Sequence, residues 1–264
     1  MIQPLRSGTS SFSVQPGQAA DPLAPLVDLP GVADALAAAR AAVDRLLGHR
    51  VLRRQSAAVS AESALRGARA SAALDGRDVS LADLRAGSIA GDPTVHGALR
   101  VSSGIGELVD VWDRAPLQAL ARLHMLAAAG SVAADQLGRP TGEAAVAARL
   151  RGLADLVAGG SRAPGILVAA VVHGELATLA PFGSADGLVA RAAARLTLVT
   201  SGVDPKAVCV PEVGHLERGD YGDALAGYAA GTPDGLAVWL RHCAGAVDLG
   251  AREGLAICES VLRG

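Results

Sequence analysis

Aromatic residues are scarce: tryptophan, tyrosine and phenylalanine occur twice each, 2% of 264 residues. A core of this size must then be built from Ala, Leu and Val. That favours helices packed closely through small side chains over a β-sandwich rich in Tyr, Phe and Trp. Lysine is scarcer still: of 24 basic residues only Lys206 is a lysine, an arginine bias expected of a GC-rich, bacterial-type genome. The net charge is -2 and no basic patch carries interleaved aromatics, which argues against a nucleic-acid partner. Cys209, Cys243 and Cys258 are widely spaced with no C-x-x-C pair, so they read as buried thiols acting as small hydrophobes, and their spacing supports neither a disulfide nor a zinc site. Long apolar runs are missing. Residues 165–172 fall far short of a bilayer span, and the N-terminus lacks the basic-then-apolar layout of a signal peptide. These absences predict a cytoplasmic protein with no membrane contact. Gly104-Ile-Gly106 lies in helical patterning, and no Gly-x-Gly-x-x-Gly follows a strand, so a dinucleotide-binding oxidoreductase lacks its minimum context.

What is present is helical periodicity. Half the residues are hydrophobic by type, enough for one large core. Residues 1–28 are rich in Ser, Gly, Pro and Gln and are expected to form a flexible leader. N-terminal helices are expected over 29–76, at residues 32–47 and 56–74, with Gly76 as the cap that ends the second. A helical core is expected over 77–264, with helices at 81–86 behind the N-cap Ser80, then 101–112, 117–128, 143–157, 165–179, 186–199, 221–229, 236–247 and 254–262. The architecture is a single all-α domain of about nine to eleven helices.

The most informative stretch is HGELATLAPFGSADGLVARAAAR, residues 173–195. It reads as an apolar helix, a Pro-Phe break and a second helix opening near Gly187, whose unpaired N–H groups and dipole end suit an anion. Gly187 and Arg191 are the candidate anion-binding residues. The stretch resembles the signature of the Fic/Doc (Fido) family, His-Pro-Phe-x-(Asp/Glu)-Gly-Asn-Gly-Arg-x-x-Arg. Pro181, Phe182, Gly187 and Arg191 match it. The motif His falls on Ala180, the metal-holding acid on Ser184, the first Gly on Ala185, the Asn on Asp186 and the first Arg on Leu188. Upstream, Ser71-Ala-Ala-Leu-Asp75-Gly76 resembles the family's inhibitory helix, Ser/Thr-x-x-x-Glu-Gly/Asn, with Asp for Glu. Downstream, Arg218-Gly-Asp-Tyr221-Gly-Asp-Ala-Leu225 is similar to its Arg-x-x-Tyr-x-x-Ala-Leu phrase, and Trp239 sits where members often carry a Trp. The likeness spans roughly residues 30–262.

The resemblance implies a Fic-like helical domain whose ancestral activity is protein adenylylation. A β-hairpin flap normally precedes the motif helix, but residues 143–157 are rich in Ala, Leu and Arg, as for a flap that has been lost. Ala180 offers no proton acceptor where the family has its general base. Ser184 offers no carboxylate for Mg²⁺. Losing two or more charge-assisted phosphate contacts at about 1.5 to 3 kcal/mol each weakens triphosphate binding by about 10²- to 10⁴-fold. Asp186 reads as a cap for the helix after the loop, filling the anion hole internally. Asp75 and Arg191 keep the charges of the inhibitory contact, read either as a surviving interhelical salt bridge or as a live regulatory switch. His173, two turns before Ala180, is either a substitute base or a buried histidine satisfied by a neighbouring helix. Glu175 forms no i, i+4 metal pair with it. His49, His96, His124, His215 and His242 show no ligand spacing, and Trp112, Trp239 and Phe182 are expected in the core. The expected function is that of a pseudoenzyme with no catalytic residues, metal or cofactor, binding a protein partner or a small anion. The alternative is a divergent nucleotidyl- or phosphotransferase using ATP and Mg²⁺. A third class, a homodimer building block, would be marked by a large exposed apolar patch.

Overall fold

The computed structural model describes residues 21–89 and 91–263. Among them lie twelve α-helices: α1 (Ala24–Val27), α2 (Val32–Leu47), α3 (Ser56–Leu74), α4 (Leu81–Ala86), α5 (Pro93–Arg114), α6 (Pro116–Ala128), α7 (Ala144–Asp155), α8 (Gly165–Leu179), α9 (Asp186–Thr200), α10 (Pro211–Arg218), α11 (Tyr221–Ala230) and α12 (Pro233–Arg263). No strand forms among the described residues. The interval where a flap hairpin would lie holds one isolated bridge, Ala129 to Val132, followed by α7. The all-α architecture is as expected, and no described helix is long and apolar enough to cross a membrane.

Local chemistry sets the boundaries. Gly76 takes a φ of +80°, and the N–H groups of Gly76 and Arg77 bond back to the carbonyls of Ala73 and Ala72, closing α3. The Ser80 hydroxyl accepts from the Asp83 N–H at 3.0 Å and opens α4. The helix expected from residue 101 starts eight residues earlier, because Asp92 accepts from the N–H groups of Thr94 (2.9 Å) and Val95 (3.2 Å) with Pro93 in the first turn. The Gly91-Asp-Pro segment is therefore a cap as much as a break. α10, which the periodicity does not reveal, also begins with a proline, Pro211, but without a side-chain cap. The two helices expected over 236–247 and 254–262 are one. A glycine inside a helix costs only about 1 kcal/mol, and at Gly250 the backbone of Val210 comes so close that a Cβ would lie 2.5 Å from its carbonyl carbon.

Of the expected leader, residues 1–20 lie outside the described residues, and the remainder departs from the expectation. The Asp21 carboxylate accepts from the N–H groups of Leu23 (2.9 Å) and Arg162 (2.6 Å) and from the Ser161 hydroxyl (2.8 Å), Leu23 is buried, and α1 follows. These bonds anchor residues 21–28 to the turn before α8.

Two clusters of buried side chains flank α8 and α9. One gathers α2, the start of α8, and α12; the other gathers α3, α5, α6, the end of α8, and α9. α8 is apolar nearly all round, the pattern of a central helix. Gly174 lets α11 and α12 approach it, since a Cβ there would meet Tyr228 and Trp239 at 2.8 Å, and the Trp239 indole donates to the Ala170 carbonyl at 2.8 Å. α9 is buried along most of its length and carries Arg191 and Arg195 into the interior.

Candidate functional site

The loop joining α8 to α9 turns through three left-handed residues: Ala180 (φ 44°), Gly183 (φ 69°) and Ala185 (φ 52°). A non-glycine residue pays about 1–2 kcal/mol in this region, so the surroundings must hold the loop in shape. The Pro181 carbonyl accepts from the Thr141 N–H at 2.7 Å. Phe182 is buried and stacks on the His124 ring, centroids 4.2 Å apart and nearly parallel. His124 Nδ1 accepts from the Gly138 N–H at 2.9 Å, and Nε2 meets the Ser184 hydroxyl at 3.0 Å. Since Nδ1 is an acceptor, the neutral ring carries its proton on Nε2 and donates to Ser184. The pair is thus not arranged to activate the serine. Burial lowers the His124 pKa below its ordinary value, which favours the neutral ring.

Asp186 points back into the loop. Its Oδ1 accepts from the Phe182 N–H at 2.9 Å. Burial raises its pKa, while the N–H groups of Phe182, Gly183 and Ser184 pull the other way by stabilising the carboxylate. The expected cap on α9 is therefore a different contact. Ala185 occupies the cap position and Asp186 the first helical turn, so the carboxylate faces the preceding amides instead of the next ones. An internal anion sits on the loop's donors, and the side chain at the first-Arg position, Leu188, is buried in the core.

Arg191 lies under the loop, buried, and is held by the C-terminal end of α3, with Tyr221 of α11 also beside its guanidinium. Its Nε donates to the Ser71 hydroxyl (2.7 Å), and its Nη2 donates to the Ser71 carbonyl (3.0 Å) and the Asp75 carboxylate (2.7 Å). The shorter Asp side chain reaches. Gly187 is part of this fit: a Cβ there would lie 2.7 Å from Asp75 Oδ1 and 3.0 Å from the Arg191 guanidinium. Beside Gly187 opens a cavity of about 350 Å³ whose ionisable wall residues are Asp75 and Asp186, with Thr94 and Ser131 nearby. Arg191, a candidate for anion binding, is not on that wall. The cavity presents negative charge where a phosphate needs positive charge.

Beneath α8 lies a group that sequence spacing does not connect. His173 Nε2 meets the Tyr221 hydroxyl at 2.9 Å; His215 Nδ1 meets His242 Nε2 at 2.9 Å; and His242 Nδ1 meets Asp220 Oδ1 at 2.8 Å. Trp239 completes the cluster, 5.0 Å from the His173 ring. Burial first, then neighbouring positive charge, holds His173 and His215 far below the usual imidazole pKa. His173 is a buried histidine satisfied by α11, turned away from the loop. The visible hint of this group was the Arg218-to-Leu225 phrase, which contains Asp220 and Tyr221.

The helical arrangement is that of a Fic fold. The architecture matches a Fic family protein from Desulfovibrio desulfuricans G20, with a TM-score of 0.67, 19% identity, and coverage of 86% of this chain and 74% of that one. It also matches Fic-1 from C. elegans, with a TM-score of 0.67, 19% identity, and coverage of 89% of this chain and 74% of that one. No family model and no curated protein matches the sequence.

Proposed function

We propose that this chain is a non-catalytic Fic-fold protein acting in the cytosol as a binding or regulatory module for a protein partner or a small ligand. The observation that carries the reading is the Asp186 carboxylate on the Phe182 N–H, because it fills with the chain's own charge the place where a nucleotide phosphate would be held. Three further features support it. Ala180 supplies no general base, Ser184 no carboxylate for Mg²⁺, and Arg191 is committed to Ser71 and Asp75. The test is incubation of the purified protein with labelled ATP and Mg²⁺, alone and with cell lysate. No transfer of label is expected, and none on Ala180→His alone, since the phosphate and metal positions remain altered. Label transfer by the wild-type protein overturns the reading.

The second reading, a divergent nucleotidyl- or phosphotransferase, is favoured by one observation, the 350 Å³ cavity with Asp75 and Asp186 on its wall. Two carboxylates suit a divalent cation on a nucleotide. His173 is buried and bonded to Tyr221, so under this reading the base comes from the substrate. Calorimetric titration with Mg·ATP separates the two: saturable binding that Asp186→Asn weakens favours the transferase, whereas absent heat favours the pseudoenzyme.

A further inference from the structure

Three residues from three helices converge behind α9: His173 on α8, His215 on α10 and Cys243 on α12. One ring nitrogen of each histidine and the cysteine Sγ lie within 4.8 Å of one another, and all three residues are buried. They line a cavity of about 20 Å³. That is room for a single water-sized occupant. The two histidines also have the outer partners that metal-ligating imidazoles need. Tyr221 holds one nitrogen of His173, and His242 holds one nitrogen of His215 and is itself held by Asp220. These bonds orient both rings. His242 Nδ1 lies against both Asp220 and Arg218, whose Nε donates to it at 3.1 Å, so His242 is held from two sides and in turn positions the His215 ring.

We infer that His173, His215 and Cys243 form a buried three-coordinate site for a soft monovalent metal ion, Cu(I). Thiolate with imidazole selects soft ions such as Cu(I) and Zn(II). Charge decides between them, because the same cavity is lined by Arg191, Arg195 and Glu212, and Glu212 is already paired with Arg195 at 3.4 Å. Cu(I) on one thiolate leaves the site neutral. Zn(II) leaves an added positive charge beside two guanidiniums in a low-dielectric interior, where an unbalanced charge is costly. Binding forms one Cu–S and two Cu–N bonds and releases the Cys243 thiol proton to solvent, with no change in oxidation state. The ion ties α8, α10 and α12 together, and the site is independent of whether the loop above it is catalytic.

The experiment is anaerobic titration of the chelator-stripped full-length protein with Cu(I) in competition with bathocuproine disulfonate, a parallel titration with Zn(II), and X-ray absorption on the Cu(I)-loaded protein. One equivalent of Cu(I) is expected, with one sulfur and two nitrogen scatterers. Cys243→Ala and His215→Gln are expected to abolish uptake, and Asp220→Asn to weaken it by about 10- to 100-fold, with circular dichroism confirming that each variant folds. Uptake unchanged in folded Cys243→Ala, a spectrum with two sulfurs or none, or tight binding of Zn(II) but not Cu(I) overturns the assignment. Should the variants fail to fold, the scatterer count on the wild-type protein decides alone.

Discussion

The contact between Asp75 and Arg191 determines whether α3 is merely adjacent to the loop or energetically joined to it. The Arg191 side chain is 2% exposed and Asp75 27%. Breaking a fully buried pair costs about 3–5 kcal/mol, and breaking an exposed one under about 1. Asp75→Asn leaves the guanidinium its two bonds to Ser71 but removes the balancing charge, so a loss of about 2 kcal/mol is expected, between those limits. For a chain of this size that corresponds to a fall in Tm of about 4–8 °C. Arg191→Gln removes all three bonds and should cost about 3–4 kcal/mol. Denaturant unfolding of wild type, both single variants and the double variant then gives a coupling energy, expected at about 1–2 kcal/mol. Gly187→Ala offers an independent approach. Its Cβ would lie 2.7 Å from Asp75 Oδ1, pushing the carboxylate off the guanidinium, so it should cost about as much as Asp75→Asn and add little to it. A coupling within about 0.3 kcal/mol of zero, or a Gly187→Ala loss that simply adds to that of Asp75→Asn, refutes the reasoning.

Phe182→Ala should destabilise by about 3–5 kcal/mol by denaturant unfolding, because it removes the ring stacked on His124 in a chain with few large side chains to fill the space; an unchanged midpoint would show that the loop does not depend on this packing. Ala185→Gly relieves a left-handed alanine at φ 52° and should raise stability by about 0.5–1 kcal/mol after the added chain entropy of glycine, read as a rise in Tm. His124 has its pKa lowered by burial, so its folded form binds fewer protons than the unfolded chain. The stability this contributes is present above about pH 6.5 and is lost as pH falls through the folded value, with a slope of up to about 1.4 kcal/mol per pH unit. His124→Phe should flatten that part of a Tm-against-pH curve, and nitrogen-detected NMR at pH 7 should find the proton on Nε2. A ring protonated on Nδ1 would contradict the Gly138 contact.

Helices whose ends carry a residue with one strong conformational role were readable in advance. Ser56–Leu74 ends before Gly76, and Leu81–Ala86 starts after Ser80. The α12 interior was misread because Gly250 signals a break by propensity while packing demands a glycine there, and tertiary contact prevailed. At the site, the approach of Ser71 and Asp75 to Arg191 was an implication of the family resemblance, since no spacing within residues 181–191 relates them to a helix a hundred residues earlier. The direction of Asp186 was not readable, since it follows from Ala185 adopting a left-handed conformation that alanine seldom takes. The histidine cluster was hidden for a simpler reason: its residues come from four helices, α8, α10, α11 and α12, and helical periodicity within one element does not record which side chains of different elements meet.

The pairing of α2 with α12 bears on how the protein is made. The buried stripe of α2, from Val32 through Leu36, Ala39 and Val43 to Leu46, is covered largely by a helix that begins only at Pro233, so residues 48–232 must be synthesised before its partner exists. During that interval a nascent chain carries an amphipathic helix with its apolar side unsheltered, open to association with other nascent chains or to capture by a chaperone. Long-range closure of this kind slows the final folding step. Emergence of α12 from the ribosome, more than any earlier event, then marks the moment at which the apolar face of α2 is covered.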